Sequence, residues 1–124
     1  MFAGDDAIGS VIAVGLKPDE AASTFGTRFE ALLKTLPEDA SFVVLADIVG
    51  GSPLTTVCNI LNDHGKLQDT LVLGGMNFPM ALNTLMSKDS LDNSALKEKA
   101  FSEATAAIKE FQTTSSEASD DDDI

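Results

Sequence analysis

The run SFVVLADI, residues 41–48, constrains the fold more than any other stretch of the chain. Phe42 to Ala46 are apolar without alternation. A strand with one wet face alternates apolar and polar residues; a continuous run suits a strand covered on both faces, as parallel strands are. The run closes at Asp47, and Gly50-Gly51-Ser52-Pro53 follows as a strand-to-helix turn. Ser52 is a good N-cap, and Pro53 sits where its missing N–H does no harm. Leu54, Val57, Ile60 and Leu61 then recur at helical spacing, and Gly65 after His64 suits a left-handed C-terminal cap.

The same unit repeats in outline. Residues 69–75, DTLVLGG, read as a strand, and Asn77 caps a following helix with Pro79 in its first turn. Upstream, SVIAVGL at 10–16 reads as another strand. Pro18 suits the first helical position, with Asp19 and Glu20 in the first turn. Phe25, Phe29, Leu32, Leu33 and Leu36 form that helix's apolar stripe, and Pro37 stops it. Downstream, Leu96, Ala100, Ala104, Ile108 and Phe111 make a last stripe, although AIKEFQ at 107–112 is short enough to be a strand.

Strand–helix alternation with continuous apolar strands predicts an α/β domain with a parallel sheet over residues 1–112. Ligands of such sheets sit at the carboxyl ends of the strands. Residues 113–124 are Ser/Thr-rich and acidic, and a disordered tail is expected there. Three strands make a thin sheet, so a further segment in front of Met1 is expected to be missing.

Charge narrows the function. Twenty acidic residues against eight basic give a net charge of -12, which disfavours nucleic acid and anionic membrane surfaces. Cys58 is the one cysteine, so there is no intrachain disulfide, and a reducing compartment fits. No basic-then-apolar leader opens the sequence, and no apolar stretch approaches the roughly 18 residues of a membrane span. The expectation is a cytoplasmic protein without direct membrane insertion. The Asp and Glu spacings point to no metal and nothing points to a cofactor.

Four features carry the candidate chemistry. Asp47 ends a buried strand, where a carboxylate needs a partner: its own loop amides, or an imidazole or cation in a cleft. Gly50, Gly51 and Ser52 resemble an anion cradle at a helix N-terminus, a weak signal without a Walker lysine. His64, the one imidazole, falls at the far end of that helix, where a capping role outweighs catalysis. Cys58 reads as a small buried hydrophobe.

FVVLADIVGGSPLTTVCNIL followed by LVLGGMNFPMALNTLM resembles the mannose-type IIA component of the bacterial phosphoenolpyruvate-dependent sugar phosphotransferase system (PTS). The paired elements D-x-x-G-G-S-P and G-x-N-x-P-M carry the likeness, and FAGDDAIGSVIAV is similar to the family's passage from first helix to second strand. The resemblance implies an open parallel sheet with helices on both faces in a doubly wound order, here expected to lack the family's first strand, and a cytoplasmic phosphoryl carrier. It takes phosphate from the histidine-containing phosphocarrier protein and passes it to the IIB component of a membrane-associated complex during sugar uptake. It also implies a homodimer exchanging a C-terminal strand, here residues 107–112. Asp47 would hydrogen-bond the acceptor histidine, and Ser52 would lie at the phosphoryl site with Gly50 and Gly51. The family's acceptor histidine follows the first strand in a motif like SHG, which is not found here, and His64 does not match it. The expectation is therefore a IIA domain inactive alone, the alternative being a non-catalytic or regulatory module that docks PTS proteins.

Overall fold

The computed structural model describes residues 9–113. The elements run α1 (Ala22–Leu33), β1 (Val43–Leu45), α2 (Ser52–Asp63), a 3₁₀ turn (Leu67–Asp69), β2 (Leu71–Leu73), α3 (Phe78–Ser87) and α4 (Asn93–Ala106). β1 and β2 pair in parallel, Val43 opposite Leu71, Val44 opposite Val72 and Leu45 opposite Leu73. The fold is α/β with an open parallel sheet, as the continuous run at 41–48 implied.

The core lies where β2 meets α3 and α4. Leu73, Met80, Ala100 and Ala104 form one buried cluster, with Leu45 and Leu71 packed against it. Side chains alternate along a strand, so Leu71 and Leu73 share the cluster's side while Val72 points away. The small residues Ala100 and Ala104 let α4 approach closely. α1 packs on α2, and Phe25 of α1 and Leu61 of α2 are both buried. Gly26 allows the approach: a Cβ there would stand 3.1 Å from Cγ2 of Thr56.

Helix ends follow local chemistry. After α2, the Gly65 N–H reaches the Asn62 carbonyl at 3.0 Å and the Lys66 N–H reaches that of Leu61 at 2.8 Å. Gly65 has φ 71°, so this is the Schellman closure the sequence announced. Asn77 caps α3, its side chain accepting from the Met80 N–H, and Asp92 caps α4 through the Ala95 N–H.

Four expectations are corrected. Residues 10–16 form no strand; Val11, Ile12 and Leu16 are exposed, and no described strand lies beside them. The first helix starts at Ala22 rather than Pro18, because 17–20 make a turn with Pro18 second and Asp19 third at φ 62°. That is the type II pattern, and Asp tolerates the left-handed conformation. Ser52 is not the N-cap: Gly51 is, in extended conformation, and no side chain caps the helix. α4 ends at Ala106, so Ile108 and Phe111 are exposed beyond it rather than on its buried stripe, and 107–112 is not a strand. β1 is also only half-buried, since the two-stranded sheet gives it one neighbour among the described residues. The acidic tail, apart from Thr113, and residues 1–8, the start of the family-like stretch FAGDDAIGSVIAV with its lead-in, lie outside the described residues. No helix among the described residues is long and apolar enough to cross a membrane.

Candidate functional site

Two loops leave the carboxyl ends of the strands side by side. Residues 46–51 lead from β1 into α2, and residues 74–77 lead from β2 into α3. The backbone joins them at their roots: the Ala46 N–H donates to the Leu73 carbonyl at 2.9 Å, and the Met76 N–H donates to the Ala46 carbonyl at 2.9 Å. Val49 lies against Gly74, so closely that a Cβ there would overlap its Cγ2.

The polar residues of the two loops are used differently. Asn77 is committed to the fold: its Oδ1 accepts from Met80 N–H at 3.0 Å, and its Nδ2 donates to the Ala104 carbonyl at 3.1 Å. Asp47 is exposed and, among the described residues, its carboxylate has no hydrogen bond or ion pair. The reading of Asp47 as an acceptor for its own loop amides is thus not what the geometry displays. Ser52 is exposed in the first turn of α2, with no capping bond to occupy its hydroxyl. First-turn N–H groups have no intrahelical acceptor and carry the positive end of the helix dipole. Gly51 contributes its carbonyl to the helix start, accepting from Thr55 N–H at 3.3 Å. Asp47, Gly50, Gly51 and Ser52 therefore share one loop, with a free carboxylate, a free hydroxyl and a helix N-terminus.

His64 does not join them. It is the C-cap of α2, twelve residues after Ser52 and so about 18 Å along the axis. Its Nε2 meets Glu30 Oε2 of α1 at 2.5 Å, each side chain about a third exposed. The imidazole ties two helices together at the far end of α2 from Ser52. Cys58 is half-buried in mid-α2, and burial raises its thiol pKa. Among the described residues no group of His, Cys, Asp and Glu could hold a metal.

Residue reading missed the rim of the site. Ile48, Val49, Met76 and Phe78 stand exposed on the two loops, Val49 at 69%. The signal was present inside the motifs, whose variable positions hold Ile48 and Val49 in one and Met76 and Phe78 in the other, where loops normally place polar residues. Also missed was the clamp holding residues 15–20 on α1. Arg28 donates to Glu20 at 2.7 and 2.8 Å and to the Gly15 carbonyl at 2.7 Å. Arg28, then the Lys17 N–H, hold the Glu20 pKa down to about 2.

Residues 1–101 match the family described as PTS system fructose IIA component. The fructose-specific PTS EIIA component of Bacillus subtilis (strain 168) is 23% identical over 120 residues, covering 91% of this chain and 80% of that protein. The mannose-specific PTS EIIAB component of Escherichia coli (strain K12) is 33% identical over 72 residues, 58% of this chain and 21% of that protein. The same-named protein of Shigella flexneri aligns identically, so the chain spans about a fifth of the EIIAB relatives' length.

Proposed function

Because the chain belongs to the PTS fructose/mannose IIA family, we propose that its 46–52 loop is the phosphoryl-receiving half of a IIA site, cytoplasmic and serving sugar uptake. In this reading Asp47 accepts a hydrogen bond from one imidazole nitrogen of an acceptor histidine. That keeps the other nitrogen's lone pair free to attack phosphorus. The new N–P bond forms as the N–P bond to the carrier protein's histidine breaks, and IIB later takes the group in the same way. Ser52, Gly50 and Gly51, at the start of α2, receive the phosphoryl oxygens.

One observation carries the proposal: among the described residues Asp47 presents an unpartnered carboxylate at the mouth of the sheet, in a loop that leads to the uncapped hydroxyl of Ser52. The acceptor imidazole is not His64, which is bound to Glu30 at the other end of α2. The 124-residue chain by itself should therefore take no phosphate on histidine. The test incubates the full chain with labelled phosphoenolpyruvate, enzyme I and the carrier protein; acid-labile label on His64 would overturn it.

A second reading has its own support. Ile48, Val49, Met76 and Phe78 form an exposed apolar rim around the loop, suited to docking a protein whether or not phosphate moves. A binding or regulatory module would use that rim to hold the carrier protein or IIB. Carrier-protein affinity lost in a Phe78→Asp variant but unchanged in Asp47→Ala and Ser52→Ala tests the rim as the docking surface; affinity that survives Phe78→Asp overturns it. The homodimer is a proposal as well, with Ile108 and Phe111 as its exposed apolar contacts.

A further inference from the structure

We infer that Val49 is a positioning residue, seated on Gly74 to hold the Asp47–Ser52 loop in place against its neighbour. The inference deepens the proposed phosphoryl site and rests on that reading. The loop is tied by backbone bonds at its ends, at Ala46 to the neighbouring strand and loop and at Gly51 to Thr55. Between those ends, at the turn of Val49 and Gly50, the contact across to the other loop is Val49 on Gly74.

The two glycines of the second loop serve different needs. Gly75 has φ 71°, a conformation that L side chains rarely adopt, so its glycine is an angular requirement. Gly74 is not in the left-handed region, so no positive φ reserves the position for glycine. What excludes a methyl there is space: the new Cβ would overlap Cγ2 of Val49 and stand 3.4 Å from its Cβ and 3.6 Å from its Cα. The nearest atoms all belong to Val49, including its backbone, so the methyl must push the loop carrying Asp47 and Ser52. Val49 is otherwise exposed at 69%, too exposed to contribute much to the core. Its value lies in where it holds the chain.

The experiment is a size exchange in the full chain: Gly74→Ala, Val49→Ala and the double variant. The readouts are the amide resonances of Gly50, Gly51 and Ser52 and the affinity for the carrier protein. Gly74→Ala should move those resonances and weaken binding about tenfold, the scale expected when a loop is misplaced by a fraction of an ångström to an ångström. In the Val49→Ala background the same Gly74→Ala change should have an effect under about twofold, because the obstructing branch is gone. The comparison cancels any direct contact Val49 makes with the partner. Unmoved loop resonances in Gly74→Ala, or equal penalties in both backgrounds, would overturn the inference. Should Gly74→Ala not fold, Val49→Ala alone must still move the Ser52 amide resonance, three residues on, and weaken binding of the carrier protein; an unmoved Ser52 resonance overturns it too. If the unmodified chain does not bind the carrier protein at all, the phosphoryl-site reading falls instead, while the resonance rescue still judges the contact.

Discussion

Replacing Asp47 with alanine should leave the fold as stable as before, and replacing Asn77 should not. A carboxylate that accepted N–H bonds from its own turn would behave like a cap, and its loss would cost about 0.5–2 kcal/mol. Asp47 is exposed and has no such bond among the described residues. A surface change of that kind falls within about 0.5 kcal/mol of zero. Removing one acid from a chain of net charge -12 also relieves a little self-repulsion. With a urea slope of about 1.5 kcal/mol per molar, the midpoint should move by less than about 0.3 M.

Asn77 provides the internal standard, since it occupies the matching loop. Alanine there removes a cap bond at 3.0 Å and a carbonyl contact at 3.1 Å from a half-buried side chain. Each is worth about 1 kcal/mol, so the loss should be about 2 kcal/mol and the midpoint should fall by more than about 1 M. The assay is urea unfolding of both variants beside the parent, followed by far-UV circular dichroism. If Asp47→Ala costs as much as Asn77→Ala, the carboxylate is holding its own loop, and the case for an imidazole partner fails.

Other outcomes follow from packing and charge. Thr84 is buried with its hydroxyl unpaired, so Thr84→Val, which keeps the shape, should stabilise by about 1 kcal/mol, read as a higher melting temperature. Leu61 of α2 is fully buried, and Leu61→Ala should cost about 2–5 kcal/mol in the same urea assay. Glu20, with its pKa lowered from 4.5 to about 2, stabilises while ionised. That contribution is complete above about pH 4.5 and fades as pH falls towards about 2. The stability gap between the parent and Glu20→Gln should therefore be open at pH 6 and nearly closed at pH 2.

What was legible in the sequence was what local chemistry decides. The apolar runs at 43–45 and 71–73, the Asn77 cap and the Gly65 closure need little beyond neighbouring residues, and they appear where expected. Residues 10–16 look equally strand-like, but a strand exists through pairing, and no described strand pairs with them. Pro18 with Asp19 fits a helix start and a type II turn alike; Arg28, eight residues beyond Glu20, gathers the turn onto α1. Ser52 looked like a cap, yet Gly51 takes the extended cap position and leaves the hydroxyl free. The candidate site was legible as a loop, because Asp47 through Ser52 are adjacent in sequence. Its apolar rim was not, since that depends on two loops meeting, and neither was the contact of Val49 with Gly74.

The charge pattern around that loop bears on how phosphate would reach it. Sites that capture free phosphate from water use Arg or Lys as well as backbone amides. Neither loop contains one: residues 46–53 and 74–80 hold no Lys or Arg, and the whole chain has eight basic residues against twenty acidic. A protein of net charge -12 repels a free anion at long range. In the proposed relay a phosphoryl group delivered on another protein would avoid this barrier, because apolar docking on Ile48, Val49, Met76 and Phe78 would supply the association energy. Neutral amides and a hydroxyl then hold the group loosely enough to release it. Weak local grip combined with a protein-sized docking rim is what a relay requires and what a phosphate sensor lacks. Inorganic phosphate should accordingly leave the Gly50–Ser52 amide resonances unmoved at millimolar concentration, while the carrier protein moves them. Saturable movement with phosphate alone would refute the relay argument.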